Sequence, residues 1–389
     1  MIKKGSKLSL LLIAAYCLSV LSYAQGNHDK EAFSPINTAV PSLTIAPDAR
    51  SGSMGDNGTS TMPDVNSQYW NSAKYAFMNS KAGASLSYTP WLRTLVSDVA
   101  LANFSGFYKL GDDNNQAIGA SLRYFSLGLI TGGINGVDGT GYMVNPYEMA
   151  FDISYNRKLS EHYSMGVTLR YIRSDMGQDP SDPGQVPGDA FVADISGYME
   201  KPVLLGNAEA LWGFGFNVSN IGSKISYNGG ETNYFLPTVL RLGTGVSYPI
   251  DNHNILGFYM DLSKYLVPTL RENAAPEEYN NFNSMSSIEG IFKSFSDASG
   301  GFREELQEIM LSLGTEYSYQ NQFFLRGGYY YENPNKGNRQ YFSTGAGFRL
   351  NMFQIDAAYL ISMVRNNPLD QTLRFTLSFD MDGMKNLFR

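Results

Sequence analysis

The sequence predicts an all-β protein: a 14-stranded antiparallel transmembrane β-barrel, with an N-terminal segment ahead of it and a partly helical extracellular insertion. Three observations predict it. Short segments alternate apolar and polar residues with period 2, as half-exposed strands do. The connections between them alternate between tight and long, the arrangement of an outer-membrane barrel with short periplasmic turns and longer outer loops. Charged residues make up 17% of the chain, below the roughly 25% of soluble domains. Past the first two dozen residues, no apolar run approaches the length that a membrane helix needs.

The chain opens on an address. Lys3, Lys4 and Lys7 precede the apolar run Leu8 to Leu21, and Ser22-Tyr23-Ala24 supplies small residues for signal peptidase, so residues 1–24 read as a signal peptide cleaved after Ala24. The single cysteine, Cys17, lies inside it; the bulky Tyr16 beside it argues against a lipoprotein site. The mature chain then has neither disulfides nor thiolate chemistry. The formal charge of −7 becomes more negative without those lysines, which disfavours nucleic acid, so no nucleic-acid partner is expected.

Residues 25–81 read as an N-terminal periplasmic segment and 82–389 as the barrel. The expected strands are 82–91, 97–109, 115–128, 146–158, 162–175, 189–201, 210–220, 235–249, 254–266, 308–319, 322–332, 339–350, 352–364 and 371–381. In one of the cleanest, Met149, Phe151, Ile153 and Tyr155 alternate with Ala150, Asp152, Ser154 and Asn156. "LSE", "IDNHN" and "QN" are tight connections, whereas 129–145, 176–188, 221–234 and the insertion 267–307 are long. An even strand number places both termini in the periplasm. The final strand, "TLRFTLSFDM", would be an aggregation hazard as an open edge, so closure against the first strand is expected.

With the apolar face turned to lipid, the inward set is Arg123, Asp152, Arg170, Asp194, Arg241, Asp261, Glu316, Arg326, Arg349 and Arg374, without a lysine. Arginine suits bidentate pairing with carboxylates, which suggests a lumen held by ion pairs. The same residues would also serve simply to keep the lumen wet.

Catalytic chemistry is hard to find. Of the three histidines, His28 is in the tail, while His162 and His253 fall in expected periplasmic turns. Neither GxSxG nor HExxH occurs. "TGGINGVDGTG" lacks the Lys-Ser/Thr of a phosphate loop, and Asp175, Asp179 and Asp182 lack the spaced glutamate of a calcium loop. No enzyme activity, cofactor or metal is expected. The insertion is different. Ile288, Ile291, Phe292 and Phe295 fall at helical spacing, Ser286 and Glu289 are placed as a capping box, and "FREELQEI" is a second helical stretch. The apolar face either caps its own loop or docks another protein.

The segment "PDARSGSMGDNGTSTMPDVNSQYWNSAKYAF", residues 47–77, resembles the stretch that precedes the barrel in the FadL-like outer-membrane superfamily. Members of that superfamily carry "MG" and later "NPA". This chain has "SMGDNG" and "YWNSAK", with Ser72 in place of the proline. "PDVNSQYWN…KYAFM" followed by "SLSYTPWLR" is similar, more narrowly, to the PorV family of the type IX secretion system of Bacteroidetes. The resemblance implies an N-terminal segment that begins on the periplasmic side and packs in or under the barrel mouth. It also implies protein traffic: association with the type IX translocon barrel, receipt of cargo bearing a C-terminal signal domain, and delivery to the attachment complex with its PorU-type sortase. Outer-membrane lipid would surround the wall. The alternative is a FadL-type transporter of hydrophobic small molecules, which the charged inward set disfavours. A lipid A deacylase activity, also associated with the family, would need a catalytic dyad on the outer side, where none is found.

Overall fold

The computed structural model describes residues 34–91, 98–111, 113–132, 142–177, 184–269, 275–298, 300–364 and 369–381. The expected signal peptide, His28, Asp179 and Asp182 lie outside them.

Fourteen antiparallel strands close into a barrel: β1 (Ala82–Pro90), β2 (Ala100–Leu110), β3 (Gln116–Ser126), β6 (Tyr147–Lys158), β7 (Tyr163–Asp175), β8 (Gly188–Leu205), β9 (Ala208–Gly222), β10 (Val239–Pro249), β11 (Asn254–Tyr265), β12 (Met310–Tyr319), β13 (Phe323–Tyr331), β14 (Gln340–Leu350), β15 (Phe353–Ser362) and β16 (Leu373–Asp380). The hairpin β4 (Ile130–Gly132) and β5 (Tyr142–Val144) stands apart, within the connection after β3. One end carries tight turns. Gln320 and Asn321 both take left-handed φ, 53° and 54°, as sharp hairpin turns require. The other end carries the long connections, 223–238 and 266–309 among them.

The β1–β16 seam shows why the closure is stable. In register, Leu86 lies opposite Leu377 and Tyr88 opposite Phe375, all four turned outward and exposed. Between them Ser87 lies opposite Thr376, and their hydroxyls meet at 2.9 Å on the lumen side. Cross-strand partners of matched polarity on each face are what hold register. Similar alternation runs round the wall, with Phe104, Leu122, Ile153, Leu169, Phe191, Phe258, Leu325 and Ile355 exposed on the outside. Such a surface suits hydrocarbon and not water.

Strand boundaries differ from expectation mainly at β8–β9. Residues expected as an eight-residue connection pair instead as strand through Leu205 and Ala208, with Pro202 opposite Leu211. Further up, the register shifts between Ala193 and Ile195, where Ser219 and Asn220 of β9 stand opposite Asp194 alone and Asn220 takes a left-handed φ of 62°. The bulge is in β9, and Asp194 keeps the inward phase of β8.

Candidate functional site

The lumen is filled by the chain's own residues 34–81. Short turns build this plug: Pro41–Thr44, Ala49–Gly52, Ser67–Trp70 and Ser72–Phe77. Asp48 organises two of them. One carboxylate oxygen accepts the Ser51 N–H at 2.8 Å, capping Ala49–Gly52, and the other accepts the Trp70 indole N–H at 2.7 Å. The "SMG" residues lie flat on the wall. Gly55 has φ +70°, and a Cβ there would stand 2.5 Å from the Tyr329 carbonyl oxygen. On the wall side, a Cβ at Gly328 would stand 2.0 Å from the Met54 carbonyl carbon. Glycine on both surfaces is therefore a packing requirement.

The first described residues of the plug lie at the loop end and not at the turn-end mouth. The Ser34 N–H donates to the Asn335 carbonyl (2.8 Å) and the Ala39 N–H to the Phe235 carbonyl (2.9 Å), both in long connections. Val40 and Leu43 pack with Ile172, Val192 and Ile225 near the loop end. From there the chain descends, with Val65 packing beside Phe107, and turns back to Trp70. It then leaves past the turn end, where Lys109 donates to the Met78 carbonyl at 2.5 Å and Lys158 sits 4.1 Å over the Phe77 ring.

Nine of the ten expected lumen residues are buried, but only some pair as arginine with carboxylate across the wall. Arg170 bridges Asp152 (2.7 Å) and Asp194 (2.9 Å) and also bonds the Asn220 side chain. Arg326 bridges Glu316 and Asp356, each at 2.6 Å. The rest turn to the plug. Glu316 also takes a bidentate contact from Arg50 (3.0 and 2.9 Å), and Arg374 pairs with Asp56 at 2.7 Å. Asp261 accepts the Gly58 and Thr59 N–H groups at 3.0 and 2.9 Å. Arg123 donates to the Ser42 and Ile45 carbonyls and stacks 4.5 Å over Tyr69, whose hydroxyl accepts from Arg241 at 3.3 Å. Arg349 departs from expectation. It has the inward phase but lies exposed at the turn-end rim, where it binds Gln354 (2.8 Å) and, among the described residues, forms no ion pair. Nor is the lumen without lysine: Lys109 belongs to the inward set, and Lys74 comes from the plug. A cavity of about 470 Å³ remains at the turn end, between plug residues such as Asp64 and Asn66 and wall residues such as Tyr259 and Arg349.

The described residues of the insertion carry three helices, Pro276–Ser284, Ser287–Lys293 and Phe302–Gln307, of which the sequence pattern predicts the second and third. Ser286 Oγ accepts the Glu289 N–H at 3.2 Å, capping the second as expected. The side facing the barrel is apolar at the end of the first helix, where Phe282 and Met285 pack with Phe235 and Val267, and small or charged along the other two. Gly290 lies against Phe235, and Ser294 is fully buried. Lys264 pairs with Glu305 (3.0 Å) and Glu308 (2.5 Å), and Lys336 with Glu304 (2.5 Å) and Glu308 (3.1 Å). The apolar side faces out. Ile288 is 63% exposed, Phe292 74% and Phe295 51%, joined by Phe302 at 78%, whereas Ile291 is half-buried. Sequence reasoning missed Phe302, although "FREELQEI" was read as helical. It also missed Asp356 and Glu148, both in the inward phase of their strands. Among the described residues, no group of three or more acidic, histidine or cysteine side chains is placed to hold a metal.

A closed wall, apolar outside and charged and plugged inside, defines an outer-membrane β-barrel of FadL-like fold. Solved structures share that fold at low identity. The Pseudomonas putida toluene transporter TodX has a TM-score of 0.50 at 10% identity, covering 90% of this chain and 99% of that one. A TodX deltaS2S3 mutant, described as a monoaromatic hydrocarbon channel, has a TM-score of 0.50 at 11% identity, covering 85% and 98%. No curated protein matches the chain. Residues 27–272 match the family described as Type IX secretion system protein PorV, and the chain belongs to that family. It is an outer-membrane component of type IX secretion.

Proposed function

We propose that the chain is a non-enzymatic receiver. It takes cargo bearing a C-terminal signal domain from the type IX translocon barrel and delivers it to the surface attachment complex with its PorU-type sortase. In this reading the loop end faces outward and the turn end the periplasm, because long connections belong outside. The observation that carries the proposal is the outward apolar face of the insertion. An amphipathic helix that only capped its own loop would turn Ile288 and Phe292 inward. Here the inward side is Gly290 and Ser294, clamped by lysine–glutamate pairs, and the aromatic side is left in solvent. Exposed contiguous apolar surface of this kind marks an interaction site. Burying each of these side chains contributes roughly 1.5–3 kcal/mol before the costs of association, which suits a reversible hand-over.

The lumen supports the same reading over small-molecule transport. A fatty-acid or hydrocarbon path needs a continuous apolar lining. Here the interior is occupied by the plug and by buried Arg170, Arg326, Glu316 and Asp261. The test replaces Ile288 and Phe292 with serine together. Cargo and translocon co-purification should fall several-fold, while the barrel keeps its heat-dependent gel shift. Normal co-purification from a folded double variant would move the docking surface elsewhere.

A further inference from the structure

Fourteen is an even number, so strand counting alone puts both chain ends on the turn side. The plug adds a crossing that strand counting does not see. Its outer end is fixed at the loop end by the Ser34–Asn335 backbone bond, and Ile36 packs there among Phe235, Val267 and Met285 at the base of the insertion. Its middle is fixed at lumen depth, where Arg50 grips Glu316 and Asp56 grips Arg374. Its inner end is fixed at the turn end, where Lys109 holds the Met78 carbonyl four residues before β1 begins. Asn37 is exposed at one end and Asn79 at the other.

We infer that residues 34–81 form a fifteenth, non-strand pass through the membrane, which carries the N-terminal side of the chain to the face of the long loops, beside the insertion, while β16 ends on the opposite face. The inference rests on the orientation proposed above for which face is the cell exterior. The pass itself does not.

One consequence follows from the geometry. The first described residues of the plug, from Ser34, lie at the base of the insertion, where Ile36 packs with Phe235, Val267 and Met285, so a partner seated on the insertion stands beside the outer end of the plug as well.

The full-length chain in its own outer membrane provides the test, because its one cysteine, Cys17, falls in the expected signal peptide. Single variants Asn37→Cys, Asn79→Cys, Glu231→Cys and Asn252→Cys are treated with a membrane-impermeant maleimide, before and after permeabilisation. Glu231 reports the loop end and Asn252 the turn end, and all four positions are exposed. The expected result is labelling of Asn37→Cys and Glu231→Cys on intact cells, with the other two labelled only after permeabilisation. If Glu231→Cys labels on intact cells and Asn37→Cys does not, the fifteenth pass is overturned while the orientation stands. If Asn252→Cys and Asn79→Cys label and the other pair does not, the orientation fails and the pass is upheld.

Discussion

The barrel wall and the last two helices of the outer insertion are built with the same reversed polarity, charge inward and apolar residues outward, yet only the wall has an evident reason for it. Around the wall the outside is hydrocarbon, so Leu169, Phe191 and Phe258 face lipid while Arg170 and Asp194 face the lumen. The insertion repeats this scheme on a small scale, with Lys264, Lys336, Glu305 and Glu308 beneath and Phe292 and Phe302 above. In water that arrangement gives up burial energy the chain has available. The comparison teaches that the insertion is shaped for an apolar surrounding of its own, which under the proposed function is a protein partner. It also separates two uses of inward charge: pairs between neighbouring strands that fix the wall, and pairs that seat the insertion on the loop end.

The sharpest way to break the comparison is at Arg170. Its guanidinium serves two wall carboxylates at once, so Arg170→Ala leaves Asp152 and Asp194 buried without a counter-charge, and the expected loss is about 3–5 kcal/mol. The heat-dependent gel shift should move to lower temperature. Neutralising the whole set (Arg170→Met with Asp152→Asn and Asp194→Asn) should cost much less than the single change, because no charge is left orphaned. Equal thermal behaviour for Arg170→Ala and wild type would show these charges to be solvated polarity only.

A smaller effect is expected where the charge belongs to the plug. In Arg50→Ala, Glu316 keeps Arg326, so the wall retains a paired carboxylate, while Asp64 of the plug loses its guanidinium partner and, among the described residues, keeps only the Asn66 N–H and the Ser67 hydroxyl. The expected loss is about 1–3 kcal/mol, that of hydrogen bonds to charged groups. The change should loosen the plug more than the wall. Faster hydrogen exchange confined to residues 47–66, with the gel shift little altered, is the expected pattern. A global loss matching that of Arg170→Ala would erase the distinction between wall pairs and plug pairs.

How much of this was legible beforehand follows from what period and parity encode. Alternation in "EMAFDISYN" says which way Asp152 points, and the structure places it there. It cannot say what stands opposite. Arg123, Arg241 and Asp261 were read correctly as inward, but their partners, Ser42, Tyr69 and the Gly58 and Thr59 amides, lie in a segment without any period. Phase also carries no depth, so Arg349 was placed in the lumen when it sits at the rim. The plug's direction was lost for a related reason: an irregular crossing leaves no alternation to count. In the insertion the signal was present. Gly290 and Ser294, four apart, mark a close-packed side opposite Ile288 and Phe292.

The mildest prediction concerns the base of the insertion and turns on pH. Burial pushes the Asp297 carboxyl above the usual aspartate range; the Thr269 N–H bonded to it opposes this, while the charges of Glu308 and Glu305 reinforce it. The sign follows from linkage. A carboxyl whose folded pKa is raised favours the folded form most while it is protonated, and that contribution is lost as pH rises through the raised value. The base should therefore be tighter in mild acid than at neutrality, the reverse of what a salt-bridged carboxylate would give. Removing the charge as Asp297→Asn keeps an oxygen to accept the Thr269 N–H and ends the repulsion with Glu308 and Glu305. Hydrogen exchange over residues 275–298, corrected for intrinsic rates, should be slower at a pH equal to the ordinary aspartate value of about 4 than at neutrality in the wild type. In the variant it should be slow at both. The wall should show no such difference, since Asp297 lies outside it. If the wild type is instead better protected at neutrality, Asp297 is held by a positive partner, and the base of the insertion resembles the lumen more closely than the comparison allows.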